Sequence, residues 1–274
     1  MTTIATSQLG THEGYRPLTG FLDILRSEFL KLCSVRSTFW TLTVAVVANV
    51  GLGAVTAAVL AGRLSASEKA TADGVRLALA GIHLSQIAFG VLGVLVITSE
   101  YGTGMIRATL SAVPQRRTVL AAKAIVFAST ALVVGTVSSF GAYFAFQAAL
   151  PAGDSLKSTL ADPGVPRAVF GGGLYLAMLG LLGLGLGAVI RVSAGAIATL
   201  FGLLFVPPIL LAMLPHSWQN TVGPYVPMQA GEQIYVAVSH EASALAPWTG
   251  FGVFTLYATV ALVLGLFLIN RRDV

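Results

Sequence analysis

The chain has 274 residues, 55% of them hydrophobic and 10% charged, with a mean hydropathy of +0.83. Soluble domains carry roughly 25% charged residues, so the composition excludes an ordinary soluble enzyme and predicts an all-α polytopic membrane protein. The net charge of +5 does not point to nucleic acid, because surplus Lys and Arg in a membrane protein mark cytoplasmic loops. The single cysteine, Cys33, excludes an internal disulfide and a cysteine-rich metal site.

Residues 1–18 read as a disordered cytoplasmic tail. From about residue 19 to residue 36 the pattern turns helical: Phe21, Leu22, Leu25, Phe29 and Leu32 share one face, and Asp23, Arg26, Ser27 and Lys31 lie largely off it. Ile24 and Leu30 blur the separation. Such a helix lies along a membrane surface before the chain enters it. About 36 fairly polar residues precede the first apolar run, too many for the charged start of a cleavable signal.

Six apolar runs follow, at about 37–61, 77–98, 118–150, 168–190, 194–214 and 249–269. Each approaches or exceeds the ~20 residues that cross a bilayer core. The third is long enough to protrude or break. The fourth is dense in glycine, with Gly183 and Gly187 forming a small-xxx-small step that permits close helix contact. The fifth holds Pro207 and Pro208, which remove two backbone donors and predict a kink.

Between the second and third runs lies the most informative polar stretch, Ile97 to Lys123. Glu100 ends one apolar run, and Thr103 is placed to cap a short helix. Ile106, Leu110 and Val113 then fall at i, i+4 and i+7, one apolar stripe, with Arg107 beside it. Pro114 stops that helix. Two readings fit: a helix shaped to be gripped by another protein, or a loop helix that only caps two spans.

The segment Pro215–Trp248 carries no Lys or Arg. Pro227 suits the first turn of a short helix, and Met228–Val238 is too short to span but apolar enough to dip into the membrane and return. That requires protein to cover its backbone; a helix on the outer surface fits the pattern equally. Orientation follows from the basic residues. Arg16, Arg26, Lys31, Arg36, Arg107, Arg116, Arg117, Lys123, Arg191, Arg271 and Arg272 fall on one side. Arg63, Lys69, Arg76, Lys157 and Arg167 fall on the other. The richer side is expected to be cytoplasmic, with both termini inside a cytoplasmic membrane.

Chemistry is sparse. No Asp, Glu, Lys or Arg occupies the middle of a run, and Lys123 is near enough to a helix end to snorkel to water. Proton-coupled carriers and voltage sensors use mid-membrane charge, so the pattern counts against both. Asn49, His83, Gln86 and Gln147 are expected to make hydrogen bonds between helices. His216, Glu232, His240 and Glu241 share one side without metal-ligand spacing. There is no Gly-x-x-x-x-Gly-Lys-Ser/Thr loop, hence no P-loop ATP site.

Four stretches together resemble type-2 ABC transporter permeases. They are SEFLKLCSVRSTFWTL (Ser27–Leu42), SEYGTGMIRATLSAVPQRRTVLAAK (Ser99–Lys123), YVPMQAGEQI (Tyr225–Ile234) and LFLINRRDV (Leu266–Val274). The family's Leu-Pro is here Val226-Pro227. The resemblance implies the membrane subunit of an ABC exporter, paired with a second copy or a homologous permease. ATP and Mg would bind a separate ATPase subunit, and this chain would hold no cofactor or metal. Glu28 would sit in the interface helix with Phe21, Leu25, Phe29 and Leu32. Thr103 to Val113 would be the coupling helix, with Ile106 and Leu110 inserted into the ATPase and Glu100 and Arg107 bracing it. The same resemblance implies a hinge at Pro207 and Pro208. The substrate would be hydrophobic or amphipathic: a drug, natural product or lipid. From other classes, a membrane-embedded enzyme acting on lipid or prenyl groups and a passive channel or assembly protein stand as alternatives. The enzyme would need an acidic or His/Glu cluster at a membrane face, and none is visible in the sequence.

Overall fold

A computed structural model describes residues 20–113, 115–238 and 243–271. The expected tail, Pro114, His240 and Glu241 lie outside them. Every regular element among the described residues is helical. In chain order these are α1 (Phe21–Ser34), α2 (Arg36–Leu60), α3 (Ala66–Thr71), α4 (Gly74–Ala78), α5 (Ile82–Thr103) and α6 (Met105–Ala112). There follow α7 (Arg116–Ala149), α8 (Val165–Ile190), α9 (Ser193–Ala212), α10 (His216–Val222), α11 (Pro227–Glu232) and α12 (Pro247–Arg271).

Six of these helices, α2, α5, α7, α8, α9 and α12, are long and apolar enough to cross a membrane. An even number of crossings brings both ends of the bundle to one face, called here the terminal face. Hydrogen bonds across that face agree: Arg116 at the start of α7 donates to Ile269 O at the end of α12 (3.1 Å).

The second span is shifted from its expected position, to Ile82–Thr103. Asp73 Oδ1 accepts from the backbone N–H groups of Val75 and Arg76, which caps α4 as a separate helix. The break at Gly81 then starts α5 about five residues late, so Glu100 and Thr103 fall inside its last turn. The third span neither breaks nor frays into pieces. Its 34 residues measure roughly 51 Å at 1.5 Å per residue, against a bilayer core of about 30 Å.

The centre of the bundle is α8: 67% of its apolar window is buried, against 56% for α5 and 17% for α9. Glycine makes this possible. A Cβ on Gly93 of α5 would meet the carbonyl of Gly180 on α8, and a Cβ on Gly183 would lie 2.6 Å from Gly90 O. The Gly183–Gly187 step thus serves contact within the chain, since Gly187 packs on Ile97, Val94 and Thr98. The expected kink helix, α9, runs unbroken through Pro207 and Pro208 to Ala212.

On the far face, α11 starts with Pro227 in its first turn, and a 3-10 turn (Gln233–Tyr235) continues it. The segment packs inward: Ala230, Ile234 and Tyr235 are buried. The Tyr235 ring meets the Tyr175 ring at 5.3 Å, and Tyr175 stacks on Phe254 at 5.3 Å. Tyr175 stands ten residues into α8, roughly 15 Å along it. The segment therefore packs inward against α8 and α12 through these side chains.

Candidate functional site

The terminal face carries a buried charge cluster assembled from three elements. Glu28 comes from α1, Glu100 from the last turn of α5 and Lys123 from the second turn of α7. Lys123 Nζ donates to Glu28 Oε2 at 2.5 Å and to Glu100 Oε1 at 2.6 Å. Lys31, one turn beyond Glu28, donates to Glu28 Oε1 (2.7 Å), Glu100 Oε1 (3.2 Å) and Thr109 Oγ1 of α6 (3.4 Å). Burial works against the Lys31 charge, but hydrogen bonds and attraction from Glu28 and Glu100 outweigh it and raise its pKa above the ordinary value. Two carboxylates and two ammonium groups balance, as groups withdrawn from water must.

This arrangement corrects the expectation that Lys123 snorkels. Its side chain is 2% exposed and turns to the two carboxylates instead of to water. The sequence signal was a lysine two turns inside a span, preceded by a glutamate at the end of the previous span and another in the amphipathic helix. Lys31, read as lying off the working face, belongs to the same cluster.

An apolar cluster seals the charges from one side. Ile24 of α1, Val113, and Val119 and Ala122 of α7 pack together, with Leu25 and Leu110 against them. Ile24, expected to blur the amphipathic face of α1, is its anchor. The inward face of α1 is Ile24, Glu28 and Lys31 with Leu25 and Leu32, whereas Phe21 and Phe29 are turned outward.

The same packing turns Ile106 and Leu110, expected to insert into a partner, towards their own chain. Ile106 is 2% exposed, and Leu110 is half-buried on α1 and α7. The apolar stripe Ile106–Leu110–Val113 holds α6 to its own chain because that chain already supplies the apolar surface. The outer face of α6 is Met105, Arg107, Ala108 and Ser111. Thr103 does not cap α6; its hydroxyl donates to Ser99 O at 2.8 Å. Gly104 makes the junction in the left-handed region at φ 73°, where a side chain costs about 1–2 kcal/mol. Nearby, Arg191 takes the same conformation (φ 65°) between α8 and α9. Its guanidinium lies over the Tyr101 ring, 5.0 Å from the centroid.

The far face holds a different set. Asp73 Oδ2 accepts from the N–H groups of Ala237 (2.7 Å) and Val238 (3.1 Å). Arg167 donates to Ile234 O (3.0 Å) and Val236 O (2.9 Å). Lys69 pairs with Asp154 at 2.6 Å. Glu232 Oε1 lies 3.2 Å from His83 Nε2, and Glu232 Oε2 lies 3.8 Å from Arg76, beside a polar cavity of about 300 Å³ that Pro208 also lines. His216 is exposed and takes no part in it.

Of the polar residues expected between helices, Asn49 donates to Ser138 Oγ (2.9 Å) and Gln86 accepts from Tyr175 (2.6 Å), whereas Gln147 donates to Ser158 Oγ (2.9 Å) in the segment between α7 and α8. These are structural bonds. His83 instead faces Glu232 at the rim. In comparison with known proteins, the chain matches no protein-family model and no curated protein sequence.

Proposed function

We propose that this chain is the permease subunit of an ATP-driven ABC exporter, working with a separate ATPase that binds ATP and Mg. The observation that carries the reading is the bridge from Lys123 to Glu28 and Glu100. It joins α1, α5 and α7 at the point where α6 leaves the bundle, with only Gly104 between α5 and α6. A push on α6 reaches the spans through packed apolar contact and ion pairs. Rigid-body rocking of this kind needs only a partner whose affinity differs between two arrangements.

The coupling helix in this reading is α6, and its partner-facing residues are Met105, Arg107, Ala108 and Ser111 instead of Ile106 and Leu110. Glu100 braces the helix through Lys31 and Lys123. The apolar outer faces of α2 and α9 are left for lipid or a second permease copy; 22% and 17% of their windows are buried within the chain. A substrate crossing such surfaces is hydrophobic or amphipathic. Pro207 and Pro208 leave two carbonyls of α9 without their helical donors, which suits a hinge there. The basic count supports a cytoplasmic terminal face.

Two measurements test this reading. Purification in mild detergent is expected to retain a stoichiometric companion carrying a P-loop, and Met105→Glu with Ala108→Glu is expected to release it and stop transport. Cys33, the one cysteine, is exposed on α1. A membrane-impermeant maleimide added to intact cells is expected to leave it unlabelled until the cells are opened. Labelling from outside would place α1 and α6 where no cytoplasmic ATPase can reach them.

A further inference from the structure

A cleft of about 350 Å³ opens between α1, the elbow at Val35 and α5, at the lower end of the ~300–1,000 Å³ range of small-molecule sites. Its two ends differ in chemistry. Leu92, Leu95 and Val96 line one end, and Glu28, Lys31 and Glu100 floor the other. Glu100 lies in the last turn of α5, and Leu92 is eight residues deeper, roughly 12 Å towards the bundle centre. The polar end therefore sits at the level of a membrane surface and the apolar end points to the midplane. That is the direction in which a lipid stands.

The polar end is rich in acceptors. The hydroxyls of Ser34, Ser99 and Thr103 donate their hydrogens to Lys31 O (3.0 Å), Leu95 O (2.6 Å) and Ser99 O (2.8 Å). All three line the cleft and have only lone pairs left to offer a ligand. Glu100 Oε2 has no hydrogen-bond partner, a costly state for an enclosed carboxylate oxygen. The one accessible ammonium of the lining is Lys31, 34% exposed, against 2% for Lys123. Its third contact, to Thr109, is long at 3.4 Å and replaceable.

We propose that this cleft holds one membrane lipid with a primary-amine head group. The ammonium lies among the hydroxyl oxygens of Ser34, Ser99 and Thr103, on the side of the cleft that Glu100 makes acidic. The phosphate faces Lys31, and one acyl chain follows Leu92, Leu95 and Val96. A zwitterionic head adds no net charge to a cluster that already balances. The site is independent of the ATPase reading and needs only a terminal face at a membrane surface.

The test is lipid retention by the full purified chain, read by native mass spectrometry after exposure to mixed micelles of phosphatidylethanolamine, phosphatidylcholine or phosphatidylglycerol. Phosphatidylethanolamine is expected to be retained at least tenfold over phosphatidylcholine, which has no N–H donors, and over phosphatidylglycerol, which has no cation. Ser99→Trp fills the cleft from α5, and the milder Val96→Phe fills it less; each is expected to lower retained phosphatidylethanolamine at least fivefold. Phosphoethanolamine alone is expected not to displace the lipid. Equal retention of the three lipids overturns the proposal. So does wild-type retention in the variants that stay monodisperse on gel filtration, with Val96→Phe deciding if Ser99→Trp does not. Displacement by phosphoethanolamine also overturns it, by assigning the site to a soluble amine phosphate.

Discussion

The two faces of the bundle hold their central elements by different charged contacts, although the far face also has side-chain pairs such as Lys69–Asp154. On the terminal face, charged side chains bind one another: Glu28, Lys31, Glu100 and Lys123 meet across α1, α5 and α7. On the far face, the clamping groups bind backbone: Asp73 holds the N–H groups of Ala237 and Val238, and Arg167 holds the carbonyls of Ile234 and Val236. Side chain to side chain fixes whole helices relative to one another, and every member depends on the rest. Side chain to backbone fixes the path of one irregular segment and leaves the helices independent of it. The first ties helices to one another, the second holds one packed segment in place.

The sharpest way to break that comparison is Lys123→Met. It leaves two buried carboxylates with one shared, half-exposed lysine, and removing one partner of a buried pair costs about 3–5 kcal/mol. The thermal midpoint in detergent is expected to fall steeply. The combined change Glu28→Gln, Glu100→Gln and Lys123→Met is expected to recover more than half of the loss, because no buried carboxylate is left unpaired and the remaining Lys31 ammonium, 34% exposed, reaches water. Arg167→Ala is expected to come next. It removes hydrogen bonds from a charged donor, worth about 1.5–3 kcal/mol in all, and its sign is local: faster proteolysis between α9 and α12 with little change at α6. If Lys123→Met proved no worse than Arg167→Ala, the two faces would not differ in kind.

The spans were legible because twenty apolar residues in a row have few other uses, and five of the six lie within a few residues of where composition places them. The second was displaced because Asp73 caps a short helix and Gly81 breaks it off, signals weaker than the hydropathy around them. The candidate site was half legible. Glu100 and the stripe from Ile106 to Val113 stood out, but an amphipathic stripe states only that something apolar covers it. Here α1 and α7 do, through Ile24, Val119 and Ala122. Lys123 was misread because periodicity along one helix carries no information on which carboxylates a neighbouring helix brings. The glycines of α8 were open to the same ambiguity between self-contact and partner contact.

A smaller effect sharpens the comparison at the α5–α6 junction. Gly104→Ala places a Cβ in the left-handed region, at about 1–2 kcal/mol. Nothing lies within 4 Å of that Cβ, so the penalty is conformational alone. The expected outcome is a modest drop in thermal midpoint with the charge cluster intact. In the ATPase reading, transport falls more than stability does, because the residue sets the angle at which α6 leaves the bundle.

The smallest effect belongs to the far face and is read by pH. The Lys69 hydrogen bond, with a backbone N–H from Leu156, holds the Asp154 carboxyl below its ordinary value. A folded-state pKa below the unfolded one means that the stabilisation is fully present above the unfolded value, near 3.9 for aspartate. It is lost as pH falls through the lower, folded value. The pair sits among connecting segments at the bundle end, and ion pairs of that setting contribute about 0.2–1 kcal/mol. Asp154→Asn is therefore expected to cost little at pH 7, and the gap between it and wild type is expected to close below about pH 3.9. For Lys31 of the terminal face the sign is opposite: against burial, its pKa is raised by Glu28 and Glu100, so its contribution is present below the unfolded value and is lost on the alkaline side as pH rises through the folded value. Melting both proteins from pH 3 to pH 11 separates the two faces along one axis. A gap between wild type and Asp154→Asn as large at pH 3 as at pH 7, or no gap at either, would remove the ion pair from the account of the far face.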